Sequence, residues 1–240
     1  MWHLMKYYAH YGHTEFILCL GHQGDVIKKY FLNYNECLSN DFVLTDGGRT
    51  IKLLNQDIAD WTITFADTGQ NANIGQRLMA VRRFLGDDET FMANYADGLT
   101  DLDLAAYMDF FERSGRIASF LQVRPSQTFH VVSTDEDGFV TELNSVQDIE
   151  LWINGGFFIF KREVFDYMRP GEELVVEPFR RLMAQRQLLA YRNRGFWACL
   201  DTFKEKKMFD DMVAQGVMPW AVWNNVHART PRLGFEPVIA

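Results

Sequence analysis

No apolar run in the 240 residues approaches the ~18 needed to span a membrane as a helix; the longest are short pieces such as residues 16–20. The first residues also lack the apolar stretch and small-residue cleavage site of a signal peptide, so a cytoplasmic protein with no membrane partner is expected. Cysteine is scarce. Cys19, Cys37 and Cys199 are odd in number and far apart, which fits reduced structural thiols better than a disulfide framework or a zinc site. Basic residues are outnumbered, 24 Lys+Arg against 32 Asp+Glu for a net charge of −8, which argues against nucleic-acid binding because phosphate contacts need a basic surface. Neither of the two common glycine-rich phosphate loops occurs, the histidines are scattered, and no Ser/His/Asp or Cys/His arrangement is present. There is no internal repeat or low-complexity linker, and all six prolines lie at or beyond Pro125. What remains is a core-forming composition, 48% hydrophobic and 15% aromatic with 23% charged, of a length that suits one large α/β domain.

Hydrophobic periodicity in the first half alternates short apolar strands with amphipathic helices. Residues 2–11 read as a helix, 15–20 as a buried strand, and 25–33 as a helix capped by Asp25. Two or three strand-like runs follow between 41 and 67, then a helix with Ile74, Leu78, Val81 and Leu85 on its apolar face, and a strand at 90–95. Asp103 opens another helix, faced by Leu104, Tyr107, Met108 and Phe111, before a strand at 117–123. This βαβ rhythm predicts a mostly parallel sheet with helices on both faces. After Pro125, strands at 129–133, 139–143 and 152–160, with an Asp137-Gly138 turn, predict an antiparallel addition to that sheet. Helices are expected at 162–168, 178–187 and 204–215, and residues 224–240 are expected to be a loose tail.

Acidic residues carry the most chemical information. Asp97 follows the apolar strand at 90–95, and the carboxyl ends of strands in a parallel sheet are where ligands bind. A carboxylate there is a hard ligand suited to Mg²⁺, although Asp97-Gly98 also reads as a turn. Asp103 reads as a helix cap, and Asp201, after the aromatic run 195–200 and before a helix, reads alone as another.

Several motifs occur in one order: Asp67-Thr68-Gly69 with Gly75-Gln76-Arg77-Leu78, Tyr95-Ala96-Asp97-Gly98, Trp152 through Phe158 with Asn154-Gly155-Gly156, Glu177-Pro178, and Phe196-Trp197 through Asp201-Thr202. In order and spacing these resemble the glucose-1-phosphate cytidylyltransferases, from Trp2 to about Trp223. The resemblance implies a Rossmann-like mixed sheet forming one nucleotidyltransferase domain over residues 1–223. It implies an enzyme that makes CDP-glucose and pyrophosphate from CTP and glucose 1-phosphate, for surface polysaccharides such as the lipopolysaccharide O-antigen. Carried over residue by residue, Asp97 and Asp201 match the catalytic aspartates that hold Mg²⁺. Gly75, Arg77 and Ala96 match the nucleotide-contacting positions, and Asn154, Gly155, Gly156 and Glu177 match the sugar pocket. Asn-Gly-Gly also reads as a β-bulge.

Departures from the family pattern shape further expectations. The family opens with a strand, a Gly-Gly-x-Gly-Thr-Arg-Leu loop and a Lys-Pro-Lys-Pro segment, none of which is present here, so the domain reads as truncated at its N-terminus and impaired in turnover. Loss of that strand is expected to leave residues 16–20 without one sheet neighbour, an open edge that favours a homo-oligomer. Ala96 stands where the family commonly has Gly, and no lysine lies near residue 144. Two other functions compete: a Mg²⁺-dependent glycosyltransferase using Asp101 and Asp103, and a sugar-phosphate or nucleotide-binding subunit without catalysis.

Overall fold

The computed structural model describes residues 1–126, 128–224 and 238–239. Its elements begin with α1 (Trp2–His10), β1 (Glu15–Leu20), α2 (Gly24–Leu32), β2 (Phe42–Thr45), β3 (Thr50–Leu53) and β4 (Thr62–Asp67). They continue with α3 (Ile74–Val81), β5 (Thr90–Ala93), β6 (Gly98–Thr100), α4 (Leu104–Ser114), β7 (Ala118–Val123), β8 (His130–Thr134) and β9 (Val140–Ser145). The last are β10 (Ile153–Asn154), β11 (Phe158–Lys161), α5 (Glu177–Ala184), β12 (Leu188–Arg192), β13 (Trp197–Cys199), α6 (Phe203–Ala214) and β14 (Val238–Ile239).

The main sheet is mixed and mostly parallel. β4, β1, β14 and β5 are parallel neighbours in that order, β11 joins β5 antiparallel, β7 pairs with both β10 and β11, and β12 lies parallel to β7. Strand side chains alternate between faces, and here both faces are apolar. Phe16, Leu18, Leu20 and Val238 pack on one side with Leu4, Met5 and Tyr8 of α1 and Tyr107, Met108 and Phe111 of α4. Ile17 and Ile239 point to the other, packing with Leu78 and Val81 of α3 and Phe179 and Leu182 of α5. Local signals start the helices. Asn73 and Gln76 form a capping box for α3, Thr202 and Glu205 do the same for α6, and Asp103 accepts from Ala106 N at 3.1 Å to cap α4.

Four expectations need correction. Residues 16–20 do not lack a neighbour, because β14 fills the slot between β1 and β5, with Phe16 opposite Val238 and Val238 opposite Met92. Two residues of the supposedly loose tail therefore sit in the centre of the sheet, where backbone bonds on both sides and burial of both side chains outweigh the ordering cost. The other residues assigned to that tail beyond Asn224 lie outside the described residues. β8 and β9 form a separate two-stranded ribbon and not an addition to the main sheet; the antiparallel addition is made by β10 and β11. Asp25 does not cap α2, whose N-cap is Gln23 in the left-handed region; Asp25 pairs with Lys29 one turn on, at 3.0 Å.

No helix among the described residues is long and apolar enough to cross a membrane. Truncating Ile239 to Ala should lower unfolding stability by about 2–5 kcal/mol, the usual cost of emptying a buried aliphatic site, read as a shift in urea midpoint. An unchanged midpoint would mean that β14 does not hold the sheet together.

Candidate active site

The short antiparallel pairing of β6 with β13 sets the site. Cys199 lies opposite Gly98, and Leu200 N donates to Asp97 O at 3.1 Å, so the residues flanking the ribbon, Asp97 and Asp201, are drawn together from positions 104 apart (201 − 97). Both are open to solvent. Partial burial raises the Asp97 carboxyl above its ordinary value, and the charge of Asp201 and a hydrogen bond with it push the same way. Cys199 Sγ donates to Asp201 Oδ2 at 3.0 Å, and burial followed by that bond pushes the thiol up to about 12, so the sulfur stays protonated. Among the described residues no cluster of three or more His, Cys, Asp or Glu is arranged for a metal. Two mutually repelling carboxylates with coordination left for phosphate oxygens and water nevertheless match how Mg²⁺ is bound.

Behind this pair the wall of the cleft hangs on Asn94, just beyond β5. Its Oδ1 accepts from Tyr95 N at 2.9 Å and Phe157 N at 3.0 Å, and its Nδ2 donates to Tyr8 OH at 3.3 Å. One amide thus ties α1, the end of β5 and the segment between β10 and β11. That segment is a bulge: residues 155–158 stand against residues 120–121 of β7, since Asn154 pairs with Gln122 and Ile159 with Ser119. Asn154 shapes it, accepting from Gly156 N at 2.9 Å and donating to Tyr95 OH at 3.3 Å. Glycine is required twice. A Cβ on Gly155 would stand 2.8 Å from the Val123 side chain, and Gly156 has φ +75° with Asn94 Oδ1 only 2.7 Å from where a Cβ would be. Phe157 is itself left-handed at φ 50°, a strained backbone held by its buried ring and the bond to Asn94.

Arg77 enters from the other side. Its Nη1 donates to Thr68 Oγ1 at 2.8 Å, and its guanidinium lies so close over Gly21 that a Cβ there would meet Nη2 at 2.6 Å. With Asn94, Tyr95, Ala96 and Ile239 it lines a cavity of about 210 Å³. Gly75 is buried and lets α3 approach the chain before α5, since a Cβ would be 2.4 Å from Glu172 O. The structure thus gives Gly75 a packing role. Glu177, the first residue of α5, accepts from Glu173 N at 3.2 Å. Asp103 is occupied as a cap, and Asp101 packs against Gly195, which removes the support for a D-x-D glycosyltransferase site. Sequence reasoning missed Asn94, although it directly precedes the Tyr95-Ala96-Asp97-Gly98 motif; an amide ending an apolar strand was the available signal.

Known proteins resemble this chain over most of its length. No family model matches. A protein of Bacillus subtilis strain 168 assigned as a glucose-1-phosphate cytidylyltransferase is 35% identical over 225 residues, covering 93% of this chain and 87% of that protein. The glucose-1-phosphate cytidylyltransferase of Salmonella typhi is 31% identical over 224 residues, with the same coverage. Among solved structures, a Bacillus anthracis protein described as a glucose-1-phosphate thymidylyltransferase, in complex with a sucrose, superposes with a TM-score of 0.58. It is 15% identical, and the match covers 88% of this chain and 80% of that one. HddC from Yersinia pseudotuberculosis gives 0.56 at 13% identity, covering 88% and 84%. At such identities these structures establish the fold alone.

The raised Asp97 carboxyl has a pH signature. A folded-state value above the ordinary 3.8 adds stability that is fully present below 3.8 and is lost as pH rises through the folded value. In metal-free buffer with a chelator, Asp97→Asn should therefore melt slightly above the parent at pH 7, and the gain should vanish below about pH 3.8. A gain that persists in acid would assign it to packing and not to charge.

Proposed function

The chain belongs to the glucose-1-phosphate cytidylyltransferases, and on that premise we propose that it transfers CMP from CTP to glucose 1-phosphate, releasing pyrophosphate and yielding CDP-glucose. The observation that carries the reading is the pairing of Asp97 with Asp201 across one ribbon, next to Ala96, which lines a cavity together with Arg77. An oxygen of the sugar phosphate attacks the α-phosphorus of CTP, a new P–O bond forms, and the bond to the β-phosphate breaks with pyrophosphate leaving. Both reactants are anions, so alignment and charge compensation are the main tasks of the site.

Asp97 and Asp201 would hold Mg²⁺, which when bound neutralises charge on the phosphate oxygens. Arg77 adds a fixed positive charge on the nucleotide side, kept in place by Thr68 and by the absence of a side chain at Gly21. The bulge at 155–158 brings backbone close to the hexose, Asn154 and Tyr95 brace it, and Glu177 accepts from sugar hydroxyls. Ala96 lies where the nucleotide passes; its carbonyl already accepts from Met1 N at 2.9 Å, which fixes the strand end. A cytoplasmic enzyme supplying CDP-glucose for surface polysaccharide, including O-antigen, and working as a homo-oligomer, completes the reading.

The direct test is pyrophosphate release from CTP and glucose 1-phosphate with Mg²⁺, with CDP-glucose identified as product. Replacing Asp201 with Ala should reduce kcat by roughly 10²–10³-fold, the scale expected for losing one preorganised charge-stabilising group. Titration calorimetry of the same substrates separates a chain that binds without turnover, and binding with no product from the parent protein would refute the transferase reading. Glu177→Ala should weaken glucose 1-phosphate by about 1–3 kcal/mol while leaving CTP nearly unchanged. Equal losses for both ligands would reduce Glu177 to a structural role.

A further inference from the structure

The face of α1 turned away from the sheet core forms one wall of a second cavity, of about 840 Å³, within the ~300–1,000 Å³ typical of small-molecule sites. Trp2 and Lys6 come from α1, the segment before β4 supplies Asn55, Gln56 and Asp60, and Trp61 and Trp223 add two further indoles to the lining. None of the carboxylate pair, Arg77 or the 155–158 bulge lines it.

We propose that this cavity is a second ligand site, distinct from the cleft, that binds an uncharged saccharide. Indole surfaces offer apolar faces to the C–H side of a pyranose ring, and side-chain amides and carboxylates bond its hydroxyls as donors and acceptors. Here the side chains of Asn55, Gln56 and Asp60 make no hydrogen bond to the described residues, so their polar atoms are available. The neighbouring groups are used differently. Asp57 pairs with Lys6 at 3.1 Å and accepts from Tyr34 OH, Ser39 Oγ and Asn40 Nδ2 at 2.8–2.9 Å, while Glu36 accepts from Asp57 N and Ile58 N. That network makes a rigid rim and cancels the Lys6 charge. Asp60 leaves the cavity acidic, which selects a neutral sugar and discriminates against the phosphorylated substrate of the cleft.

The test is saturation-transfer NMR and tryptophan fluorescence with maltose and with methyl α-D-glucopyranoside, on the full chain. We expect binding with a Kd on the order of 1 mM that persists when glucose 1-phosphate and CTP saturate the cleft. Gln56→Ala with Asp60→Ala should weaken it at least tenfold without changing melting temperature, since both side chains are exposed and unbonded in the fold. Absence of binding by the parent, displacement by glucose 1-phosphate, or unchanged affinity in the double variant would each overturn the assignment. None of these results bears on pyrophosphate release in the cleft, so failure here and failure of the transferase reading are separable.

Discussion

The three-residue pairing of β6 with β13 holds Asp97 and Asp201 against each other although like charges at close range repel. Everything around them serves to make that arrangement tolerable. β6 emerges directly from the sheet through the end of β5, and β13 leads into α6, whose Thr202–Glu205 capping box fixes the chain just after Asp201. Glu205 also accepts from Asp201 N at 3.1 Å, so the backbone beside the second carboxylate is pinned from below. Solvent on the open side and a protonated thiol at 3.0 Å soften the repulsion.

Precision elsewhere in the cleft comes from close approach more than from polar side chains. Gly21, Gly75, Gly155 and Gly156 are each positions where a single methyl would collide with a neighbour at 2.4–2.8 Å. At Gly21 and Gly156 the neighbour is Arg77 or Asn94, so the missing side chain is what allows a functional or organising group to occupy its place. Asn94 then couples three elements through one amide, which makes the strained Phe157 backbone a fixed part of the wall.

Much of this was legible from residue patterns, and the limits have physical causes. β1 could be read because Phe16, Ile17, Leu18 and Leu20 form an uninterrupted apolar run buried on both faces, and Asp103 because an acidic residue before an amphipathic run is a strong cap signal. β10 and β11 read as one strand because periodicity cannot show that four residues stand opposite two. Asp25 failed as a cap because Gln23 adopts a left-handed conformation that begins α2 earlier. β14 was invisible, since two aliphatic residues have no period and their place depends wholly on partners more than 140 positions away in sequence. The pairing of Asp97 with Asp201 was suggested by family motifs alone; no local feature of either residue announces the other.

That central strand also sets a timetable for synthesis. Val238 lies opposite Phe16, 222 residues upstream (238 − 16), and at ~5–20 residues per second that edge of β1 waits roughly 10–45 s for the strand that covers it. Until then the free edge of β1 can pair with any passing strand. Yield in a cell therefore depends on how well the nascent chain is shielded, and slowing translation should cost more soluble protein here than in a domain whose central strand is made first.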